Sequence, residues 1–310
     1  GVTETSTINT AVGTSCMAAC TSGAYNDAFG WAALGALTTG SSNSAFGNLA
    51  LDALTSGGSN VAFGQHAGGA ITTGSQNVCL GTGSGLLLTT GAYNTFVGFE
   101  AGGDTTTVNE NTAVGNNAFA LNTTGSYNTA IGRNALAANT TADQGTAIGR
   151  LALYGNTTGA NNTAVGSSAL QTNSTGANNV AVGYTALQAN TTASNNSAFG
   201  WQSLTANTTG AQNTACGYGA LKANTTASYN DAFGYNALDA CTTGANNVAI
   251  GSNSLGILTT GSGNTAVGLN ASTALTTATS NTTVGSYAGD AVTTGANNTL
   301  MGTSAGGGLT

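Results

Sequence analysis

Side chains able to do acid–base or metal chemistry are few and far apart in this chain. The single histidine, His66, has no visible acid or cysteine partner and reads as an ordinary surface residue. The one concentration of carboxylates is Glu100, Asp104 and Glu110, three within eleven residues. Such oxygen ligands can hold a hard cation such as calcium, but a local irregularity or a solvated acidic patch is the simpler account. The five cysteines, Cys16, Cys20, Cys79, Cys216 and Cys241, form no CxxC and are too scattered for a disulfide scaffold. Cys79 and Cys216 fall where small or apolar residues belong and read as packed thiols. Cys16 and Cys20 lie four apart, and the spacing does not say whether they pair. No catalytic residue, cofactor site or enzyme emerges. The remaining chemistry is recognition. Trp31, Tyr184, Trp201, Tyr218 and Tyr235 share one register of a repeat with Phe99, Arg133 and Arg150. Rings spaced along a surface can stack sugars, giving a glycan or receptor contact; the alternative is that they fill a groove between adjacent chains or cap a corner.

The charge balance narrows the partners. Of 310 residues only 3 are Lys or Arg and 10 are Asp or Glu, a net charge of −7. Nothing here can displace counterions from nucleic acid or hold an anionic membrane surface. No apolar run reaches the roughly 18 residues that span a bilayer. With 48 glycines, no proline and 40% hydrophobic residues, the chain has the material for a core and is not a disordered polyampholyte. It starts at Gly1 without an initiator methionine or signal-peptide pattern, as a processed product or a fragment would.

What must position these residues is a repeat. Glycine follows a small-plus-apolar pair at Gly13, Gly30, Gly47 and onward to Gly302, always 17 residues apart, in 18 units without insertion or deletion. Loops between independent domains tolerate length change; a fixed coil does not. If each unit is one turn of a β-solenoid, each residue stacks about 4.8 Å above its counterpart, and a one-residue slip exchanges inside for outside. Helical repeats fit poorly, because the units are short, rich in Gly, Thr and Asn, and poor in helix formers.

With the recurring glycine as position 6, the consensus is x-N-T-A-V-G-x-x-A-L-x-x-(N/L)-T-T-G-x. Position 2 is asparagine in 17 of 18 units, among them Asn9, Asn60, Asn128, Asn162, Asn179, Asn213, Asn247 and Asn298, with Gly145 the exception. Stacked amides of this kind form a hydrogen-bonded ladder. Position 4 is mostly alanine and position 5 always apolar, so both faces of a short strand are small or apolar. One face fills the interior and a second chain is expected to cover the other. Position 3, which varies from Val61 to Asp27, leaves open which is which. Position 13 runs from Leu37, Leu54, Ile71 and Leu88 through Asn122, Asn139, Asn156, Asn173, Asn190, Asn207 and Asn224 to Cys241, Leu258, Leu275, Val292 and Leu309. Each of the seven asparagines opens an N-x-(S/T) sequon, yet a column that changes in blocks reads as inward-facing, with Asn stacked on Asn. Positions 14 and 15, mostly threonine, read as a β-rich segment. It ends in a turn where glycine at position 16 supplies a positive φ.

Segments such as NVAVG (Asn179 to Gly183), NVAIG (Asn247 to Gly251) and NTAIG (Asn128 to Gly132) resemble the head repeat of trimeric autotransporter adhesins. Units like NTAVGSSALQTNSTG are similar to repeats of bacteriophage tail fibres and bacterial surface fibres. The resemblance covers essentially all 18 units and rests on a short motif, with a longer coil than the adhesin unit. It implies a left-handed parallel β-roll, three chains side by side, and a surface that binds host matrix or receptors.

The expectation is therefore one continuous, all-β parallel β-solenoid (β-roll or β-helix) of 18 coils over 1–310. Its expected role is a homo-oligomeric, non-enzymatic extracellular fibre or stalk on a virion or cell surface, contacting a glycan or receptor. The alternatives are a filament built by head-to-tail stacking and an ice-binding solenoid. The second is opposed by the alanines at position 12, which leave a single threonine rank.

Overall fold

The computed structural model describes residues 8–308, so Leu309 lies outside the described residues. The chain divides into two compact units, 1–158 and 159–310. Among the described residues the first carries nine strands, from β1 (Asn9–Val12) and β2 (Asn26–Phe29) through β3 (Ser44–Phe46) to β9 (Thr146–Ile148). The second carries nine more, from β10 (Thr163–Val165) to β18 (Thr299–Met301). Within each unit every strand pairs in parallel with the next, position on position, as in Ala28 on Ala45 or Ala164 on Ala181. Each unit is thus a parallel β-solenoid of 17-residue coils, and no helix occurs among the described residues.

The strand occupies positions 3 to 5, and its alternation settles which face is which. Alanine at position 4 is fully buried in coil after coil, while positions 3 and 5 point outward and stay half-exposed or exposed. Opposite the alanine column lie Ala at position 9 and Leu at position 10, also buried. Only a small residue at position 4 leaves room for that leucine.

Glycine at position 6 holds φ near +135°, for example 132° at Gly13 and 142° at Gly47. A Cβ on Gly13 would lie 2.3 Å from the carbonyl oxygen of Gly30 in the next coil. Both the left-handed backbone and the close approach exclude other residues, which explains why this column never varies.

Positions 8 and 10 are also left-handed although mostly not glycine, as at Ala32 (φ 53°) and Leu34 (φ 51°). Each such L-residue costs about 1–2 kcal/mol. Complete burial of Leu34 contributes about 1.5–3 kcal/mol, and the amides find carbonyls in neighbouring coils, Leu34 N–H donating to Ala50 at 3.1 Å. Burial and stacking together hold a conformation that local propensity opposes.

Two sequence expectations need correction here. Positions 14 and 15 form a bend and not a strand: Thr38 N–H donates to the Thr55 carbonyl at 2.9 Å, and its hydroxyl donates to the same oxygen at 2.9 Å. Glycine at position 16 does not adopt a positive φ. It is small because stacked turns touch there; a Cβ on Gly40 would meet the Gly57 carbonyl oxygen at 2.2 Å and Leu37 Cδ1 at 2.8 Å.

Two amide ladders run through each unit. At position 2, Asn43 donates through both its main-chain N–H and its Nδ2 to Asn26 Oδ1, each at 3.0 Å. The pattern repeats along both units, and at Gly145 only the main-chain half survives, its N–H reaching Asn128 Oδ1 at 2.8 Å. At position 13 the asparagines are buried as the block pattern requires. Asn139 donates to Asn122 at 2.8 Å and Asn156 to Asn139 at 3.2 Å in the first unit. In the second, Asn190 donates to Asn173, Asn207 to Asn190 and Asn224 to Asn207 at 2.8–2.9 Å. All seven sequons are therefore closed to a glycan.

Candidate recognition surface

Three outward ranks carry the apolar surface. Position 5 presents Val, Ile, Phe, Leu, Cys or Met from every coil, with Phe63 55% exposed. In the first unit Phe29, Phe46 and Phe63 stack face to face with centroids 4.7 and 4.8 Å apart, the spacing of the strands beneath them. Position 1 exposes Tyr25, Tyr93, Tyr127 and Tyr229 at φ near +60°, a corner of the coil. Position 7 carries the aromatic candidates.

The fold separates those candidates. Trp31 is exposed in the first unit, where the same column offers Thr14 and Asn48 on the adjoining coils. Tyr184, Trp201, Tyr218 and Tyr235 occupy four consecutive coils of the second unit, all exposed. Their centroids are 6.0, 5.3 and 5.3 Å apart in turn. Register alone makes this row: residues 17 apart in sequence become neighbours in space.

The polar candidates are placed less favourably. Glu100 and Asp104 line one shallow depression of about 220 Å³ with Leu86, Gly103, Asn117, Ala120 and Leu121, and Glu110 is not part of it. The hollow exists because Gly103 has no side chain between Leu86 and Ala120 in the same column. Among the described residues no three of His, Cys, Asp and Glu converge as a metal site.

His66 does have an acidic neighbour. Burial raises the Asp52 carboxyl above its ordinary value, and its own backbone hydrogen bond and the charge of His66 oppose the rise. Asp52 and His66 are fourteen residues apart in sequence, and only the coil length brings them together. Asp239 is likewise raised by burial, with backbone hydrogen bonds and then Lys222, its counterpart one coil earlier, acting against it.

All five cysteines are unpaired. Cys79 is packed as expected, but Cys216 is exposed between Phe199 and Phe233 in the position 5 rank, because that position faces outward. Coil 6, the most divergent unit, is not irregular: its strand Thr95–Val97 pairs in register on both sides.

The chain matches no family model, no curated protein and no solved structure. What the surface can do therefore follows from its own chemistry: apolar contact along the position 5 rank and ring contact along position 7. Among the described residues no helix is long and apolar enough to cross a membrane.

Sequence reading missed two regularities. The left-handed residues at positions 8 and 10 give a mixed signal in residue type: asparagine at Asn117 or Asn134 and glycine at Gly68 or Gly85 favour a positive φ, but the leucine that fills most of position 10 does not. Position 17 alternates: Ser41, Ser75, Ser194, Ser228 and Ser262 each accept, through Oγ, the N–H of the position 17 residue one coil earlier at 3.0–3.1 Å. The serine in alternate coils, at Ser41 and Ser75 and again at Ser194, Ser228 and Ser262, was the available clue.

Proposed function

We propose that the chain is a non-enzymatic extracellular fibre or stalk, on a virion or a cell surface, whose copies associate through the position 5 face. The observation that carries this reading is the position 5 rank, apolar in every coil and only half covered by the chain itself. Contiguous exposed apolar surface on this scale marks an interaction site, and the resemblance to fibre repeats points to three copies. The in-register ladders supply stiffness, since bending would break parallel hydrogen bonds in many coils together. The outward aromatic ranks then repeat at a fixed spacing, which suits multivalent contact with a receptor or glycan. Ice binding is less well supported, because the position 14 hydroxyls donate to the next coil and leave one free threonine rank at position 15.

The test is molar mass by light scattering combined with thiol labelling at Cys216, which stands on the face in question. A discrete mass of three chains with Cys216 protected supports the proposal. A monomer with a freely reactive Cys216 sinks it, and filaments of indefinite length with a reactive Cys216 replace it with head-to-tail stacking.

A further inference from the structure

We infer that the position 7 rank of the second unit is a saccharide platform centred on Trp201, and that its ligand is a neutral, unbranched chain of pyranose sugars. The inference rests on reading the chain as a recognition shaft, and it names the ligand class of that shaft.

The ring angles carry the argument. Tyr218 and Tyr235 are nearly parallel, 12° between planes with centroids 5.3 Å apart, so their faces turn along the stacking axis toward one another. Trp201 stands at 89° to Tyr218 with centroids 5.3 Å apart, and at 74° to Tyr184 with 6.0 Å. Because these neighbours lie one coil to either side, the indole plane runs along the axis and presents edges, not faces, to both. Its broad faces are left to whatever lies beside the solenoid, and the side chain is 51% exposed. This differs from the Phe29, Phe46 and Phe63 stack, whose faces are used up on each other.

An open indole face flanked by ring edges is suited to the C–H face of a pyranose, which is apolar and flat. Tyr184 and Tyr218 bring phenol groups that both donate to and accept from sugar hydroxyls. An extended β-linked sugar chain advances by nearly the strand spacing of about 4.8 Å per residue, so successive sugars meet successive coils. Charge selects among glycans. The rank itself has no ionised group, the only Lys or Arg of the second unit is Lys222, which acts on Asp239, and the chain's net charge of −7 repels polyanions. A sulfated or sialylated chain is disfavoured on the same ground that admits a neutral one.

The test uses the full chain with Trp31→Phe, leaving Trp201 as the sole indole. It is titrated with cellohexaose, mannohexaose and chitohexaose as neutral probes and a heparin hexasaccharide as polyanion, followed by fluorescence and calorimetry. At least one neutral hexaose is expected to bind and shift the Trp201 emission. Trp201→Ala should weaken that binding by about tenfold or more without moving the melting temperature, and Trp201→Phe should retain part of it. Silence from all three neutral probes, binding indifferent to Trp201→Ala, or tighter binding of heparin each overturns the inference. Light scattering on the same samples separates the two claims. A trimer that ignores sugars loses only the platform, and a monomer that binds them loses only the proposed assembly.

Discussion

The side-chain amides of Asn179 and Asn190 donate to one acceptor, the carbonyl oxygen of Ala193, at 2.9 and 3.0 Å. The first belongs to the position 2 ladder and the second to the position 13 ladder, so the turn carbonyl ties them together and uses both of its lone pairs. The same double acceptance recurs at Gly176, Gly210 and Ala227. Each coil in this stretch is thus clamped at one corner by two independent vertical stacks, and the corner residue is small because both amides must reach it.

This clamp makes the position 13 column an all-or-none element. Asn190→Leu puts there a residue that the column accepts elsewhere, at Leu37 or Leu258, yet it removes one of the two acceptors of the Asn207 amide and the donor that Asn190 gives to Asn173 Oδ1. Two buried amide groups lose a partner, at about 1–3 kcal/mol each. Changing all seven asparagines to leucine removes donors and acceptors together and should cost far less than seven single changes. Urea unfolding of the single and block variants checks this. A single variant as stable as the parent would show that the ladder contributes nothing.

Phe96 and Gly102 exchange volume in the same way. In most coils alanine at position 4 faces leucine at position 10; here the phenylalanine ring fills that space, and a Cβ on Gly102 would lie 2.8 Å from Phe96 Cδ1 and Cε1. Gly306 beneath Leu300 repeats the arrangement, with 2.5 Å to Leu300 Cδ1. Phe96→Ala should destabilise by about 3–5 kcal/mol. Adding Gly102→Leu should recover much of that loss, because leucine already occupies this left-handed position at Leu136 and Leu170. Gly102→Leu alone should be as damaging as Phe96→Ala. If the double variant is worse than either single one, the two sites do not share one space.

Much of this architecture was legible because a solenoid stacks like on like. A 17-residue period without exception fixed the coil, asparagine at position 2 implied a ladder, and the block change at position 13 from leucine to asparagine revealed an inward column. The exchange between positions 4 and 10 was also present, since four of the five glycines at position 10, Gly85, Gly102, Gly289 and Gly306, fall in the units that carry Cys79, Phe96, Thr283 and Leu300, and the fifth, Gly68, lies next to Cys79 of the following coil. It lies between two columns six residues apart and shows in neither column alone. The bend at positions 14 and 15 looked like strand because threonine favours strands, but here its hydroxyls bond to the neighbouring coil. The row from Tyr184 to Tyr235 was visible as a register; the turn of Trp201 against its neighbours was not, because ring orientation is decided by packing.

Two buried thiols set a pH limit. Burial raises Cys79 from an ordinary 9.0 to about 12 and Cys241 to about 11, a backbone hydrogen bond to Gly244 opposing the second shift. Both are neutral in the folded chain, whereas the unfolded chain releases these protons at the ordinary value. Their contribution is complete below pH 9 and is lost as pH rises through the folded values, at roughly 1.4 kcal/mol per pH unit for each thiol. Urea midpoints should therefore fall between about pH 9 and 12, and Cys79→Ala with Cys241→Ser should flatten the fall. Serine at 241 keeps a donor for the Gly244 carbonyl, which the Cys241 thiol reaches at 3.3 Å. An equally steep decline in the double variant would place the pH dependence elsewhere.

Charge placed on adjacent strand residues separates folding from assembly. Ala113 and Ala164 are fully buried at position 4, whereas Val114 and Val165 at position 5 are half-exposed. An aspartate at either alanine must be desolvated without a partner and should unfold its unit, at several kcal/mol. An aspartate at Val114 or Val165 remains in water while the chain is alone and meets another copy only on association. Val114→Asp with Val165→Asp should therefore keep the circular dichroism and melting of a folded solenoid but drop the mass by light scattering to one chain. Ala113→Asp with Ala164→Asp should lose the fold outright. Should the valine pair leave the assembled mass untouched, the copies meet through some other face, and the position 5 rank must be covered by a different partner.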